Sequence, residues 1–258
     1  MIKLRFIGTG GIGGVRIKNK LSKEYRRFST FLIDERIIFD PSEDVFEFEE
    51  SFMLSGFTKS AKDVFITNSS LDHLSITAIE RLASACSGIR VYANATVGEE
   101  LRGISGVEFT EIAPLSLVKV DKYSILPLRA NHKTDTEGEC ALNYLIECDG
   151  KTIFYGLDGA MISADAWQIL KECKLDVCVL ECALANNGYS GDCFNHNNLD
   201  MVSKIYEIMV AAGVATEQTK FILSHIPTYK KRTVHEEMCE AVENTPFKIA
   251  YDGYFLGI

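Results

Sequence analysis

Between residues 107 and 155 the chain reads as five strands in a row: VEFTEIA, LSLVKV, YSILPLRA, ALNYLIECD and TIFYG. Asp149-Gly150 between the last two is a strong hairpin signal, since both residues tolerate the positive φ of a tight turn. On either side of this block, helices and strands mix. IKLRFI, FSTFLID and RIIFD open the chain as strands, the last two meeting in a turn at Asp34-Glu35. Residues 43–56 predict a short helix and DVFIT (63–67) a strand. Ile76, Ile79, Leu82 and Ala83 predict a helix over 75–87 capped by Ser75. IRVYA is a strand and VGEELRGI a helix. The final third adds helices at AWQILKEC, at MVSKIYEIMVAAG (ending at Gly213) and at VHEEMCEAVE, and strands at LDVCVLECA, KFILSHI and FKIAYDGYFLGI. Strands in the middle with helices in both halves predict an α/β sandwich in four layers, helix, sheet, sheet, helix, as one domain over 1–258.

The 258 residues are 47% hydrophobic and 24% charged, enough for a core without disulfides or a structural metal. Lys and Arg number 27 against 36 Asp and Glu, a net charge of −9, which disfavours broad nucleic-acid or anionic-membrane binding. The dense basic stretch KNKLSKEYRR (18–27) reads as a solvated loop. No apolar run reaches the roughly 18 residues of a membrane span. MIKLRFIGTGG reads as a first strand rather than a signal peptide, so a cytoplasmic setting with reduced thiols is expected. Cys173, Cys178, Cys182 and Cys193 lack C-x2-C spacing and are expected in the core.

Gly8-Thr9-Gly10-Gly11-Ile12-Gly13 has the form of a dinucleotide fingerprint, but GVRIKNKLSKEYRRF carries no helical stripe, so a glycine loop between strands is expected. Of the five histidines, His235 lies among glutamates and reads as a surface residue. His73, His132, His196 and His225 follow strands or lie in loops, as does Asp158 in YGLDG. Carboxylates and imidazoles gathered at strand ends are the donor set of borderline divalent metals: Zn, with Mn or Fe as alternatives.

These residues resemble the metallo-β-lactamase superfamily, whose hallmark is H-x-H-x-D-H after a strand, followed by a His, an Asp and a last His. Here the hallmark region reads Thr67-Asn68-Ser69-Ser70-Leu71-Asp72-His73; the Asp-His half matches and the two leading histidines are Asn68 and Ser70. His132, Asp158 and His225 follow in family order. FIGTGGIGGV, RRFSTFLID and IIFDPSED are similar to the phosphodiesterase branch, which includes phosphoribosyl cyclic-phosphate phosphodiesterases and tRNA 3′-processing endonucleases. The resemblance implies metal ligands at Asp72, His73, His132, Asp158 and His225, with one firm metal per chain because Asn68 and Ser70 replace ligands of the other site. It further implies proton transfer through Glu181 and His196, and an orienting role for Asp72. Asn68, Ser70 and Arg129 are candidates for substrate binding, with Asn131 beside them. Ala183–Asn197, which carries His196, is expected as a lid.

The implied function is hydrolysis of a small phosphodiester by a metal-dependent enzyme, with a second copy in a homodimer as an optional partner. The alternative is a degenerate superfamily member that binds metal or ligand for regulation, and a third reading is lactone or thioester hydrolysis on the same scaffold.

Overall fold

The computed structural model describes residues 1–11, 17–54, 56–186, 191–226 and 235–258, with backbone alone at 191 and 192. The chain divides into two compact units: Met1–Ala113 with Thr134–Glu139 and Tyr251–Ile258, and Pro114–Lys133 with Cys140–Ala250.

In the first unit, β1 (Lys3–Gly8), β2 (Thr30–Ile33), β3 (Ile37–Phe39), β4 (Asp63–Phe65), β5 (Ile89–Ala93) and β6 (Val107–Glu111) lie side by side in chain order. The C-terminal strand Phe255–Gly257 pairs antiparallel with β1 on the outer edge. β1, β2 and β3 pair antiparallel, and β3 through β6 run parallel. The turn at Asp34-Glu35 forms as expected, with φ of 50° and 57°. Phe6, Phe31, Phe39, Phe65 and Tyr92 are register partners on successive strands, and their rings meet at 5.0, 5.9, 5.3 and 4.7 Å. Helices α1 (Asp44–Ser51), α2 (Ile76–Ala85) and α3 (Ala95–Glu100) contribute Val45, Phe48, Ile79, Leu82 and Val97 to a core shared with Ile38, Val64 and Val91. The Ser75 hydroxyl caps α2 by accepting from the Ala78 N–H at 3.2 Å.

The glycine loop runs against residues 26–28: a Cβ on Gly8 would lie 1.8 Å from the Phe28 carbonyl oxygen, and Gly10 bonds the Arg27 and Ser29 backbones. That close approach accounts for the glycines; Ile12 and Gly13 lie outside the described residues. The basic stretch is not wholly solvated. Arg26 and Arg27 are buried, Arg27 Nη1 lying 3.1 Å from Asp252 and Nη2 2.7 Å from Glu47, while Arg26 Nη1 donates to Thr9 Oγ1 at 2.8 Å. The Arg27 guanidinium, paired with two carboxylates, also lies over the Tyr25 and Phe48 rings, 4.5 and 5.4 Å from their centroids.

In the second unit, β7 (Val118–Val120), β8 (Tyr123–Arg129), β9 (Leu142–Cys148) and β10 (Lys151–Gly156) form an antiparallel meander. The Asp149-Gly150 hairpin takes φ of 50° and 72°, as expected. Beyond β10, strands β11 (Val177–Glu181), β12 (Lys220–Ser224) and β13 (Phe247–Ile249) continue in parallel. β8 and β10 both run antiparallel to β9, so β8, β10, β11 and β12 all point the same way. Their C-terminal ends therefore share one rim of the sheet, where binding groups gather in such folds. Helices α4 (Ala164–Leu170), α5 (Leu199–Ala211) and α6 (His235–Ala241) cover a core that includes Leu128, Phe154, Cys178, Leu180, Val202, Ile205, Phe221 and Met238. α5 begins at Asn198, whose Oδ1 accepts from Met201 N at 2.9 Å, and is followed by Gly213 at φ 73°.

The cysteines are thiols, and burial pushes Cys178 and Cys182 well up from the ordinary thiol range, as expected of core packing. His235 differs from expectation: it is buried, with Nε2 3.4 Å from Cys239 Sγ one turn on. Among the described residues, no helix is long and apolar enough to cross a membrane.

Candidate metal centre

In the first unit the chemistry sits just past β3 and β4. Asp40 follows β3 at φ 48° and is fully buried. Its Oδ1 accepts from Thr67 N at 2.7 Å, and Oδ2 accepts from Thr67 Oγ1 at 2.8 Å and faces His73 Nδ1 at 2.9 Å. Burial pushes the Asp40 carboxyl above the usual carboxylate range, opposed by His73 and the Thr67 bonds. A carboxylate on Nδ1 fixes the imidazole tautomer and turns Nε2 toward the ligand side, the usual support of a metal-binding histidine. Nε2 is 3.7 Å from Asp72 Oδ2.

Asn68 and Ser70 occupy the positions of the two absent histidines. Asn68 Oδ1 accepts from Ser70 N at 2.9 Å, an Asx turn that closes the loop locally. The neighbouring Ser69 is tied down by Glu139, which accepts from its N–H at 2.8 Å and its hydroxyl at 2.7 Å and also from Asn94 Nδ2 at 2.9 Å.

In the second unit His132, Asp158, Glu181 and His225 follow or end β8, β10, β11 and β12 on the common rim. Asp158 is buried at φ 48°. His225 Nε2 lies 3.2 Å from its Oδ1 and His132 Nε2 3.6 Å from its Oδ2. The strained Asp158 loop is held by asparagines: Asn143 Nδ2 donates to Leu157 O at 2.5 Å, and Asn131 Nδ2 donates to Ala160 O. Asn131 therefore spends its amide on the loop. Arg129 Nε lies 3.7 Å from Asp165 on the exposed surface.

Glu181 is buried, with Oε1 accepting from Asn197 N at 2.7 Å and Oε2 from Ala183 N at 2.6 Å. His196 Nδ1 lies 3.4 Å from Glu181 Oε1 and 3.8 Å from Asp158 Oδ1. His132, Asp158 and His196 each bring a donor atom within 4.8 Å of the others. Of the stretch expected as a lid, residues 187–190 lie outside the described residues.

This donor set fits a metal. Ligands at Zn–N and Zn–O distances of about 2.0–2.1 Å in a tetrahedron stand roughly 3.3–3.4 Å apart. The two imidazole-to-carboxylate separations around Asp158, 3.2 and 3.6 Å, bracket that spacing. Each nitrogen concerned is Nε2, and His132 Nδ1 lies 3.3 Å from Asn195 O.

Asp40, Glu139, Asn143, Asn195 and Asn197 were not among the sequence candidates. Asp40 left one signal, an Asp at a strand end directly before a proline; the others are polar residues, Asn143 within β9 and the rest in loops, whose partners lie further along the chain.

A rim of this kind, with carboxylates and imidazoles at parallel strand ends, defines a metal-binding α/β protein. The Beta-lactamase superfamily domain matches residues 35–226, and the chain belongs to the metallo-β-lactamase superfamily, with its αββα fold. Solved structures show the same fold. YhfI of Bacillus subtilis, a metallo-β-lactamase fold protein, is 17% identical with a TM-score of 0.74, covering 99% of this chain and 98% of its own. Human tRNase Z, short form, is 13% identical with a TM-score of 0.69, covering 99% of each chain. Zn(2+)-bound PqqB of Methylobacterium extorquens is 17% identical with a TM-score of 0.68, covering 99% of this chain and 100% of its own. Similar structures also include proteins described as metal-dependent hydrolases. No curated protein matches the sequence.

Proposed function

We propose that the protein is a metal-dependent hydrolase of a small phosphodiester, acting as one metallo-β-lactamase-like domain with one well-formed metal site. The proposed ligands are Asp72, His73, Asp158 and His225, with His132 beside them and zinc as the expected metal. Bound there, the metal supplies Lewis acidity toward a phosphoryl oxygen and lowers the pKa of water.

The observation that carries the reading is the Glu181–His196 pair. Glu181 is fixed by two backbone N–H groups, so its carboxylate stays in place, with Oε1 standing 3.4 Å from His196 Nδ1. Nε2 is then the nitrogen that passes a proton to the departing oxygen, and Glu181 offsets the charge of the imidazolium. Asp72 orients the attacking water. A pair of this kind serves the breaking of a bond whose leaving oxygen needs protonation, as a phosphodiester does. The acidic chain, at net −9, favours a small substrate over a long nucleic acid, in a reducing cytoplasm where the thiols persist. The name of the similar human tRNase Z is in keeping with phosphodiester chemistry.

A second reading, a regulatory protein that binds metal without turnover, draws on Asn68, whose side chain closes a turn where the family has a ligand. Bis-p-nitrophenyl phosphate turnover separates the two. Metal bound with turnover that disappears in Asp158→Ala supports the enzyme; metal bound with no turnover in zinc- and manganese-loaded protein supports the regulator.

A further inference from the structure

We infer that Asn195 and Asn197 are positioning residues that strap the His196 loop to the loops carrying His132 and Asp158. The inference rests on the roles proposed above for those three residues.

Loop asparagines commonly bond their own neighbours, as Asn68 does here. Asn195 and Asn197 instead reach partners 62 and 36 residues away. Asn195 Oδ1 accepts from Lys133 N at 2.6 Å and its Nδ2 donates to Lys133 O at 3.0 Å, so the carboxamide pairs with the N–H and C=O of one residue as a strand neighbour would. The Asn195 carbonyl oxygen lies 3.3 Å from His132 Nδ1. The residue therefore anchors itself beside His132 and sets the ring so that Nε2 faces Asp158. On the other side of His196, Asn197 Oδ1 accepts from Met161 N at 2.7 Å and Nδ2 donates to Gly159 O at 2.7 Å. Its own N–H donates to Glu181 at 2.7 Å. One residue thus joins the Asp158 loop to the carboxylate that faces His196.

Only a carboxamide of this length meets both demands. Aspartate lacks the donor, glutamine adds a methylene, and alanine leaves all the backbone partners unmatched. His196 is consequently held from both sides, and its placement is coupled to that of two ligands. Groups that orient metal ligands from behind change metal affinity by about 10–100-fold when removed. Misplacing a reacting group by an ångström costs up to about 100-fold in rate.

The test uses the full chain carrying Asn195→Ala, Asn195→Asp, Asn197→Ala or Asn197→Asp. Zn2+ affinity is measured by chelator competition. Two phosphodiesters are compared, one with a p-nitrophenolate leaving group and one with an alkoxide. Amide exchange is followed at Lys133 and Met161. The alanine variants should lose about 10–100-fold in Zn2+ affinity. Their kcat should fall more on the alkoxide ester, which needs the proton, than on the p-nitrophenyl ester, with KM nearly unchanged. Exchange should quicken at Lys133 in Asn195→Ala and at Met161 in Asn197→Ala. The aspartate variants keep the bonds from Lys133 N and Met161 N and should fall between; they carry the test if the alanine variants fail to fold. Wild-type affinity and kcat in variants of both asparagines would overturn the inference, as would equal rate losses on the two esters. A wild-type protein that takes up no zinc and cleaves neither ester would overturn the functional reading beneath it, and the two failures are distinct.

Discussion

Removing the Asp40 carboxylate gives the sharpest separation between a structural and a ligand-orienting role. In Asp40→Ala the acceptors for Thr67 N at 2.7 Å, Thr67 Oγ1 at 2.8 Å and His73 Nδ1 at 2.9 Å are lost together, in a fully buried place. Breaking a buried hydrogen-bonded charge pair costs about 3–5 kcal/mol. Burial already holds the Asp40 carboxyl above the usual range, so its removal also relieves desolvation. The lower end, about 3 kcal/mol, is therefore expected. In a protein of this size that is a fall of roughly 6–12 °C in Tm. With the carboxylate gone, His73 Nδ1 keeps the neutral Thr67 Oγ1 at 3.0 Å in place of a charged partner, and Zn2+ affinity should fall by about 10–100-fold. Asp40→Asn keeps an acceptor for Thr67 but replaces the negative partner of the imidazole, so it should recover much of the stability and little of the affinity. Calorimetry and chelator-competition titration read the two quantities separately. Wild-type Zn2+ affinity in a destabilised Asp40→Ala would refute the orienting role; wild-type stability would refute the bond accounting itself.

Three further outcomes follow from other parts of the molecule. Burial pushes the Asp252 carboxyl from 3.8 up to about 6 despite its bonds to Arg27 and Thr9, so folding favours the protonated form. Its stabilising contribution is complete below about pH 4 and is lost as pH rises through about 6, some 3 kcal/mol in all. The urea-unfolding free energy of wild type minus Asp252→Asn should therefore fall between pH 4.5 and 7, and a difference that rises with pH contradicts this. Gly8→Ala places a Cβ 1.8 Å from the Phe28 carbonyl oxygen, which forces the strand and the 26–28 segment apart; a loss of about 3 kcal/mol or more in denaturant unfolding is expected. Asn68→His with Ser70→His restores imidazoles at the two altered positions and should raise metal content and rate together, despite losing the Asx turn; a rise in neither means that the site was remade rather than vacated.

Much of the fold was legible because local signals and tertiary structure agree in this chain. Asp34-Glu35 and Asp149-Gly150 take the positive φ that their residue types tolerate, and Ser75 caps the helix that the spacing of Ile79 and Leu82 predicts. His132, Asp158 and His225 stand out because each follows an apolar strand on the same rim. What escaped was set by partners distant in sequence. Arg26 and Arg27 read as solvated until Thr9 accepts from the one and Asp252 and Glu47 pair with the other. His235 reads as exposed among glutamates, yet its helix turns it inward. Asn195 and Asn197 look like ordinary loop residues, because a carboxamide carries no trace in sequence of the peptide group it will match.

Elemental analysis of the purified protein, alongside Asp158→Ala, reaches the centre of the account. Zinc or another transition metal near one per chain, lost together with bis-p-nitrophenyl phosphate turnover in Asp158→Ala, is the expected result. A wild-type protein that emerges metal-free and takes up no Zn2+, Mn2+ or Fe2+ on titration would contradict it.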